Sequence, residues 1–418
     1  MAVNTTITNK SETMAPVMDE PGLNSVASVV GGERLHYMDN VRALAMMVGV
    51  LFHAALAYSP LLHNMWPSAS SKNHAVFDMV SFFTHLFRMP VFFVISGFFA
   101  VMLIEKRGMA GFLKNRGLRI VVPFLIFLPL CLVAVGMAFS WALEHVENPS
   151  PVLGFVKMMS AMPDPPPAPI STMHLWFLYY LAMFVVLVAV LSQLKVFEWK
   201  FWSKVMSAPF VLILLPMLLV PALFSVVAPH PAPEQFVPEL WAVCFYGLFF
   251  FMGALMFAQT DFLAQFDRVK HFLLLVSVGL FAYFYSGLPT TISPQMIMMM
   301  TANSEMAWSH LPVAIAEAYA SVYMTLYCLI MGKQFLNKKN KVLRLISDSS
   351  YWIYLIHVPL LFLLQFYLLD SDLPMVMQFV VSCGLTVVIG LVSYLVLVKH
   401  TPIGWLLNGR KKVVKGEK

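Results

Sequence analysis

The sequence predicts an all-α, polytopic integral membrane bundle of about ten transmembrane helices. Of its 418 residues, 60% are hydrophobic and only 11% are charged, whereas a soluble domain is about half apolar and about a quarter charged. Ten segments have the roughly 20 mainly apolar residues that a spanning helix needs. The basic residues also alternate between the two sides of these segments, as membrane topology requires.

The ten predicted spans follow one another with short connections. The second span is long and contains Pro90 and the pair Ser96-Gly97, so we expect a tilt, a kink or a break within it. The same Ser-Gly pair predicts close packing against another helix. In chain order the spans are Met38–Tyr58, Val76–Ile104, Leu118–Ser140, Thr172–Leu191, Pro209–Val227, Glu239–Phe257, Phe272–Gly287, Val313–Met331, Ser350–Leu369 and Met375–Val398.

The basic residues set the predicted orientation. Lys and Arg cluster after every second span, at 106–119, 195–204, 268–270 and 333–344, and again at 399–418. The loops on the other side hold only Lys72 and Lys157. Because cytoplasmic loops collect Lys and Arg, both termini are predicted to be cytoplasmic. Orientation therefore accounts for the net charge of +6 without a nucleic-acid partner.

Three regions are predicted along the chain. Residues 1–33 are polar and lack a basic stretch followed by an apolar one, which predicts a disordered cytoplasmic tail and no cleavable signal. Residues 34–401 form the ten-helix membrane domain, and residues 402–418 form a basic cytoplasmic tail. The four cysteines lie in apolar runs without CxxC or His/Cys clusters, so we expect buried free thiols and no metal site.

Two arginines lie inside predicted spans and are the first candidates for function. A charge at mid-membrane costs a few kcal/mol, so such a residue usually faces the bundle interior. Arg42 is near the cytoplasmic end of the first span and could instead extend to that interface. Arg88 is central in the second span and cannot easily do so.

Polar residues share faces of the first two spans. His53 follows Arg42 by 11 residues, about 1100° of rotation and about 16 Å of rise, so both project from one helix face. The second span carries a polar stripe at spacings of three and four, which consists of Asp78, Ser81, His85 and Arg88. Polar faces on two neighbouring spans predict an internal aqueous cleft.

The remaining polar residues leave two chemistries open. His174 opens the fourth span, Glu317 is on the eighth and His357 is on the ninth; a single membrane histidine is often only a hydrogen-bonding residue between helices. His53 suits a general base for acyl transfer to a hydroxyl, and a nearby cation suits an anionic donor such as a CoA thioester. His and Glu residues also relay protons in transporters. A non-catalytic subunit of an envelope-polysaccharide assembly is a third reading.

Five motifs carry a resemblance to a known family. The sequence resembles the acyltransferase 3 family of ten-helix membrane proteins, and especially its branch associated with succinylation of osmoregulated periplasmic glucans. It departs from much of the family at Ala43, where Gly is common. The motifs are Tyr37-Met38-Asp39-Asn40-Val41-Arg42 with His53 after ten intervening residues; Phe87–Phe99; Arg116 and Arg119 with Pro123; His174-Leu175-Trp176-Phe177-Leu178; and Ser350–His357.

The resemblance implies a function and a location. The protein would be an O-acyltransferase of the bacterial inner membrane, with no bound cofactor and with acyl-CoA as co-substrate. The acyl group, succinyl by preference or acetyl, would pass to a hydroxyl of a periplasmic or envelope glucan. The implied partners are the lipid bilayer, acyl-CoA, the glucan and glycan-synthesis proteins. A transporter or acyl flippase using the same cleft is the alternative.

The resemblance and the polar pattern together assign roles to individual residues. His53 and Arg42 are the predicted catalytic residues, and Arg88, Arg116 and Arg119 are predicted to bind the donor, although Arg116 and Arg119 also fit simple positive-inside anchors. Trp176 could stack on a sugar, as could Trp352, although Trp at a helix end is more often an interface anchor. The predicted acceptor or supporting residues are Asp39, His85, His174, Trp176, Glu317 and His357.

Overall fold

The computed structural model describes residues 36–409, except 166, 168, 169, 260, 297, 298, 300–307 and 339. Within these described residues all regular secondary structure is helical, which confirms the predicted all-α class. The predicted N-terminal tail 1–33 and the end of the C-terminal tail, 410–418, lie outside the described residues.

The helices are numbered here in chain order. A π-helical turn, Gly117–Val121, joins α2 to α3, and a 3-10 turn, Met173–Leu175, precedes α5. The α-helices are α1 His36–Leu56, α2 Ala75–Arg116, α3 Val122–His145, α4 Pro151–Ser160, α5 Trp176–Gln193, α6 Trp202–Val205, α7 Leu215–Phe224, α8 Leu240–Met256, α9 Lys270–Ser286, α10 Leu311–Phe335, α11 Lys341–Leu368, α12 Met375–Ser393 and α13 Pro402–Asn408.

Every predicted span coincides with apolar helix in the structure. By length and composition, six helical runs among the described residues can cross a membrane, and shorter apolar helices of 10–17 residues account for the other spans. One long run, Ala75–His145, contains both the second and the third predicted spans. The count of ten spanning helices therefore stays a prediction. The six runs are His36–Leu56, Ala75–His145, Met173–Gln193, Leu311–Phe335, Lys341–Leu368 and Met375–Val398.

The outer helices present apolar side chains that no protein covers. On α3, Leu125, Val133 and Met137 are 64%, 63% and 69% exposed, and Leu275 on α9 is 72% exposed. A soluble protein rarely exposes continuous apolar surface of this kind. Such a surface suits lipid tails, whereas the backbone polar groups are satisfied within the helices. The protein is therefore a membrane protein.

Helix α1 lies at the centre and packs against α2, α10, α11 and α12. Helices α2 and α8 are in close contact because Gly97 faces the backbone of Phe250 and Gly253 faces the backbone of Val94. A Cβ atom at either glycine would overlap the opposite backbone, which confirms the close packing predicted from Ser96-Gly97.

The break in α2 lies outside the second predicted span. Gly108 has a φ of 67°, a conformation that glycine adopts without strain. The expected break within Val76–Ile104 is not found there, since the chain remains α-helical through Pro90 and Gly97, whereas the expected tilt or kink stays a prediction. Beyond Gly108 the helix continues for about two turns and ends at Arg116.

The cysteines are free, but only Cys131 is buried, so the expectation that all four are buried was wrong. Cys244 is exposed on α8, a position where lipid rather than protein would cover it.

At the C-terminal end, residues predicted to belong to the tail form α13. Asn408 at its end accepts a hydrogen bond from Nη2 of Arg119 (3.0 Å) and donates to the carbonyl of Asp348 (2.8 Å).

Candidate active site

A small cavity among α1, α2, α11 and the start of α5 collects five of the predicted site residues. Its volume is about 30 Å³, enough for one or two water molecules but not for an acyl chain. Ala45, Met46 and Gly49 line it along α1, on the same face as Arg42 and His53. Its predicted polar lining consists of His53, Arg88, His174, Trp176 and His357, and the structure adds Tyr354.

Three histidines form the core of this cavity. The ring centroid of His357 is 5.1 Å from that of His53 and 5.1 Å from that of His174. His174 and His357 are buried, whereas His53 is half-buried. The Nδ1 atom of His53 is buried without a hydrogen-bond partner among the described residues. His53 therefore has no protein partner at this nitrogen that fixes its tautomer or orients its ring.

A proline in α11 explains how His174 is held. Pro359 has no N–H, so the carbonyl of Leu355, four residues earlier, is left without its helical donor. That carbonyl accepts hydrogen bonds from Nε2 of His174 (3.2 Å) and from Sγ of Cys131 (3.2 Å). In return, the hydroxyl of Tyr354 donates to the carbonyl of His174 (2.9 Å). These reciprocal bonds fix His174 against α11.

The carbonyl partners also fix two tautomers. Nδ1 of His357 lies 2.7 Å from the carbonyl of Tyr354, so this nitrogen carries the proton. By the same argument Nε2 of His174 carries its proton. The other nitrogens, Nε2 of His357 and Nδ1 of His174, are buried without partners. Two neutral imidazoles thus present unused lone pairs in the neighbourhood of His53.

Arg88 supplies the positive charge of the cavity. Its side chain is buried, its Cζ lies 4.3 Å above the ring of Phe52, and its Nε has no hydrogen-bond partner. Among the described residues no ion pair joins it to a carboxylate. A Cβ atom at Gly49 would lie 3.1 Å from Nη1 of Arg88, so glycine is what leaves room for the guanidinium. A buried cation without a counter-ion is suited to an anionic substrate group.

Three arginines predicted to act in the site lie apart from this cavity. Arg42 is 41% exposed and pairs with Asp39 at 3.6 Å. Its charge acts on both Arg116 and Arg119, so these side chains form one basic cluster. Arg116 also lies over the ring of Phe112 at 5.9 Å. The structure therefore groups Arg42 and Asp39 with Arg116 and Arg119 and not with His53, which lies about 16 Å further along α1.

Two other predicted residues, His85 and Glu317, meet a histidine that sequence reasoning missed. Nδ1 of His230 donates to Oε1 of Glu317 at 2.7 Å, and Nε2 of His85 donates to the carbonyl of His230 at 2.8 Å. The rings of His85 and His230 stack at 4.2 Å, and all three residues are buried. We call these residues the His85–His230–Glu317 cluster.

No local signal indicated that His230 would be buried. It lies between prolines in a segment that the span pattern predicts as an external loop, Ala228–Pro238. This loop folds inward instead. Phe52 lies between the cluster and the cavity, because its ring stacks on His85 at 5.3 Å and also contacts the guanidinium of Arg88. Across the described part of the chain, no group of three or more His, Cys, Asp or Glu residues is placed to hold a metal ion.

Comparisons with known proteins identify the family of this chain. The profile of the acyltransferase 3 family, described as an acyltransferase domain, matches residues 35–395. Among curated proteins, the glucans biosynthesis proteins C of Salmonella schwarzengrund (strain CVM19633) and Salmonella agona (strain SL483) are each 25% identical over 403 residues, covering 92% of this chain and 97% of theirs. No solved structure matches the chain. The matched region contains the whole cavity and the basic cluster, and the chain belongs to the acyltransferase 3 family of enzymes that transfer acyl groups.

Proposed function

We propose that this acyltransferase moves an acyl group, succinyl by preference or acetyl, from a cytoplasmic acyl-CoA to a hydroxyl of a periplasmic or envelope glucan. It would do so in a bacterial inner membrane, with both termini in the cytoplasm. The observation that carries the proposal is the cavity in which His53 lies beside Arg88 and two neutral histidines. The glucan as acceptor rests on the names of relatives that are 25% identical.

The reaction needs a base and a cation at the same place. His53 takes the proton of the acceptor hydroxyl, either directly or in a step through a carrier group, and the oxygen attacks the thioester carbonyl. The carbon–sulfur bond then breaks, and the imidazolium returns the proton to the CoA thiolate, leaving an ester and free CoA. Arg88 stabilises the negative charge of the tetrahedral intermediate or the carboxylate of a succinyl group.

The basic cluster is suited to the other end of the donor. Arg116 and Arg119 form no ion pair with a carboxylate among the described residues, and Arg42 adds a third charge beside them. Guanidinium groups bind phosphates through charged, bidentate hydrogen bonds. With the CoA phosphates at this cluster, an extended pantetheine arm would follow the face of α1 past Met46 and Gly49 to His53. We therefore assign Arg42 to donor binding in this proposal.

The test compares intact protein with His53→Ala in a deletion strain. Membrane levels of the two proteins are matched by blotting, and the cell-envelope glycans are analysed by mass spectrometry. The intact gene is expected to add a constant acyl mass to a glucan, whose value identifies succinyl or acetyl, and His53→Ala is expected to abolish the addition. Equal acylation by both proteins would show that His53 is a packing residue and would contradict the mechanism.

A second candidate, a transporter or acyl flippase, is favoured by the His85–His230–Glu317 cluster. Buried His and Glu residues connected by hydrogen bonds are the groups that relay protons through membrane proteins. The same experiment separates the two functions. A transporter changes where a molecule is found but not its mass, so an unchanged glycan mass with the intact gene would favour transport.

A further inference from the structure

Trp66 covers the side of His53 that faces away from the basic cluster. The segment 57–74 connects the end of α1 to the start of α2, and Trp66 reaches from it toward the cavity. The Trp66 and His53 rings are 6.1 Å apart at 26°, in a stacked arrangement. The cavity lining on α1 extends only from His53 toward Arg42, through Gly49 and Ala45. His53 is thus open on the donor side and covered by an indole on the other.

The indole is held in this position by its surroundings. The ring of Trp66 packs against that of Phe362 at 5.4 Å. The adjacent backbone is anchored, because the carbonyl of Pro67 accepts a hydrogen bond from Ser150 (2.5 Å) and the hydroxyl of Ser68 donates to Gln365 (2.6 Å). The segment that carries Trp66 is therefore fixed, and the indole contacts the rings of both His53 and Phe362.

One polar atom of Trp66 is not used by the protein. Its Nε1 is buried and has no hydrogen-bond partner among the described residues, although a buried indole N–H normally finds an acceptor. A sugar hydroxyl or ring oxygen is an acceptor of the required kind, and the apolar face of a pyranose packs on an aromatic ring. The position next to His53 therefore combines an aromatic face with an unsatisfied donor.

We propose that Trp66 is the acceptor-binding residue of the site, on which a sugar ring of the glucan stacks beside His53. This inference rests on the proposed acyltransferase function and deepens it. Before the glucan arrives, the indole occupies the acceptor side and excludes water. Without that cover, water in place of the sugar hydroxyl would attack the thioester carbonyl and release the free acid and CoA thiol. Trp66 thereby selects a sugar hydroxyl over water.

The experiment uses the full-length protein in lipid vesicles, with succinyl-CoA and acetyl-CoA as donors and envelope glucan from a deletion strain as acceptor. Trp66→Leu keeps an apolar side chain without an aromatic face or a donor, whereas Trp66→Phe keeps an aromatic face without the donor, so the two variants separate stacking from hydrogen bonding. For Trp66→Leu we expect the KM for glucan to rise about tenfold, equivalent to about 1.4 kcal/mol. We also expect several-fold faster release of CoA without glucan and an unchanged KM for the donor. Trp66→Phe keeps an aromatic face but loses the Nε1–H donor, so its KM for glucan and its release of CoA without glucan should rise less than those of Trp66→Leu, with the KM for the donor unchanged.

The outcomes separate this inference from the function on which it rests. A wild-type KM for glucan in Trp66→Leu would overturn the role of Trp66, and so would a loss of kcat with both KM values unchanged, which indicates a structural role. Either result, with an active wild type, leaves the acyltransferase intact. Wild-type protein that acylates no glucan with either donor would overturn the proposed function and this inference together.

Discussion

Replacing Gly49 by alanine tests whether the position of Arg88 controls the reaction at His53. The added Cβ would lie 3.1 Å from Nη1 of Arg88, closer than ordinary contact, so the guanidinium must shift by a few tenths of an ångström. Since a misplacement of about 1 Å costs about 10²-fold in rate, a shift of this size should slow acyl transfer about three- to tenfold. The effect on folding should have the opposite sign, because alanine stabilises a helix relative to glycine by about 0.5–1 kcal/mol.

The matched control is Gly136→Ala on α3. A Cβ there meets nothing within 4 Å, so this variant gains the same helix propensity and leaves the cavity untouched. The assay measures acylated glucan by mass spectrometry at matched membrane levels, with thermal unfolding in detergent as the measure of stability. Equal transfer rates for Gly49→Ala and Gly136→Ala would refute the reasoning. A slow Gly49→Ala protein that is also less stable than Gly136→Ala would show that the contact acts through folding instead.

Two further predictions concern stability. Gly97→Ala should unfold at a clearly lower temperature than Gly136→Ala, because its Cβ would overlap the carbonyl of Phe250 and overpacking costs about 1–3 kcal/mol; equal melting temperatures would contradict the close α2–α8 contact. In the loop before α8, burial and the nearby Glu239 raise the pKa of Glu234 from 4.5 to about 7. Over this interval Glu234 is protonated in the folded state but not in the unfolded state, so its contribution to stability is greatest below about pH 4.5 and falls until about pH 7. Glu234→Gln has no such titration, so its melting temperature minus that of the wild type should increase between about pH 4.5 and about pH 7 and stay constant above that. A difference that does not depend on pH would argue against a buried carboxyl.

Much of the fold could be predicted from the sequence, because a spanning helix is recognised by the length of one continuous apolar segment. Each predicted span coincides with helix in the structure, and Ser96-Gly97 indicated the close helix contact correctly. The position of the break in α2 was not accessible in the same way. Pro90 was the stronger signal, yet the helix tolerates it, and the observed break is at Gly108, where a positive φ costs glycine little.

The site was predictable where its residues share a helix and less so where they come from loops. His53 and Arg88 were marked by their polarity within apolar spans, and both line the cavity. His230 and Trp66 lie in segments that the sequence pattern predicts as external connections. No local pattern therefore predicts the burial of His230, its contact with His85 or the contact of Trp66 with His53. Both residues reach the bundle through long-range contacts, which a single sequence does not display.

The distance between the basic cluster and His53 determines which part of a bound donor could reach the cavity. Arg42 and His53 share one face of α1 but lie about 16 Å apart, with Met46 and Gly49 lining the cavity between them. A donor anchored by its phosphates would therefore bring only its thioester to His53, and the cavity of about 30 Å³ has to widen to admit the acyl group. Because Gly49 and Arg88 are in near contact at that point, the acyl group and the guanidinium compete for the same space. In the proposed reaction the incoming acyl group would displace Arg88, and a methyl group at residue 49 would take up part of the space that Arg88 needs. Gly49→Ala should therefore slow transfer while leaving the fold intact.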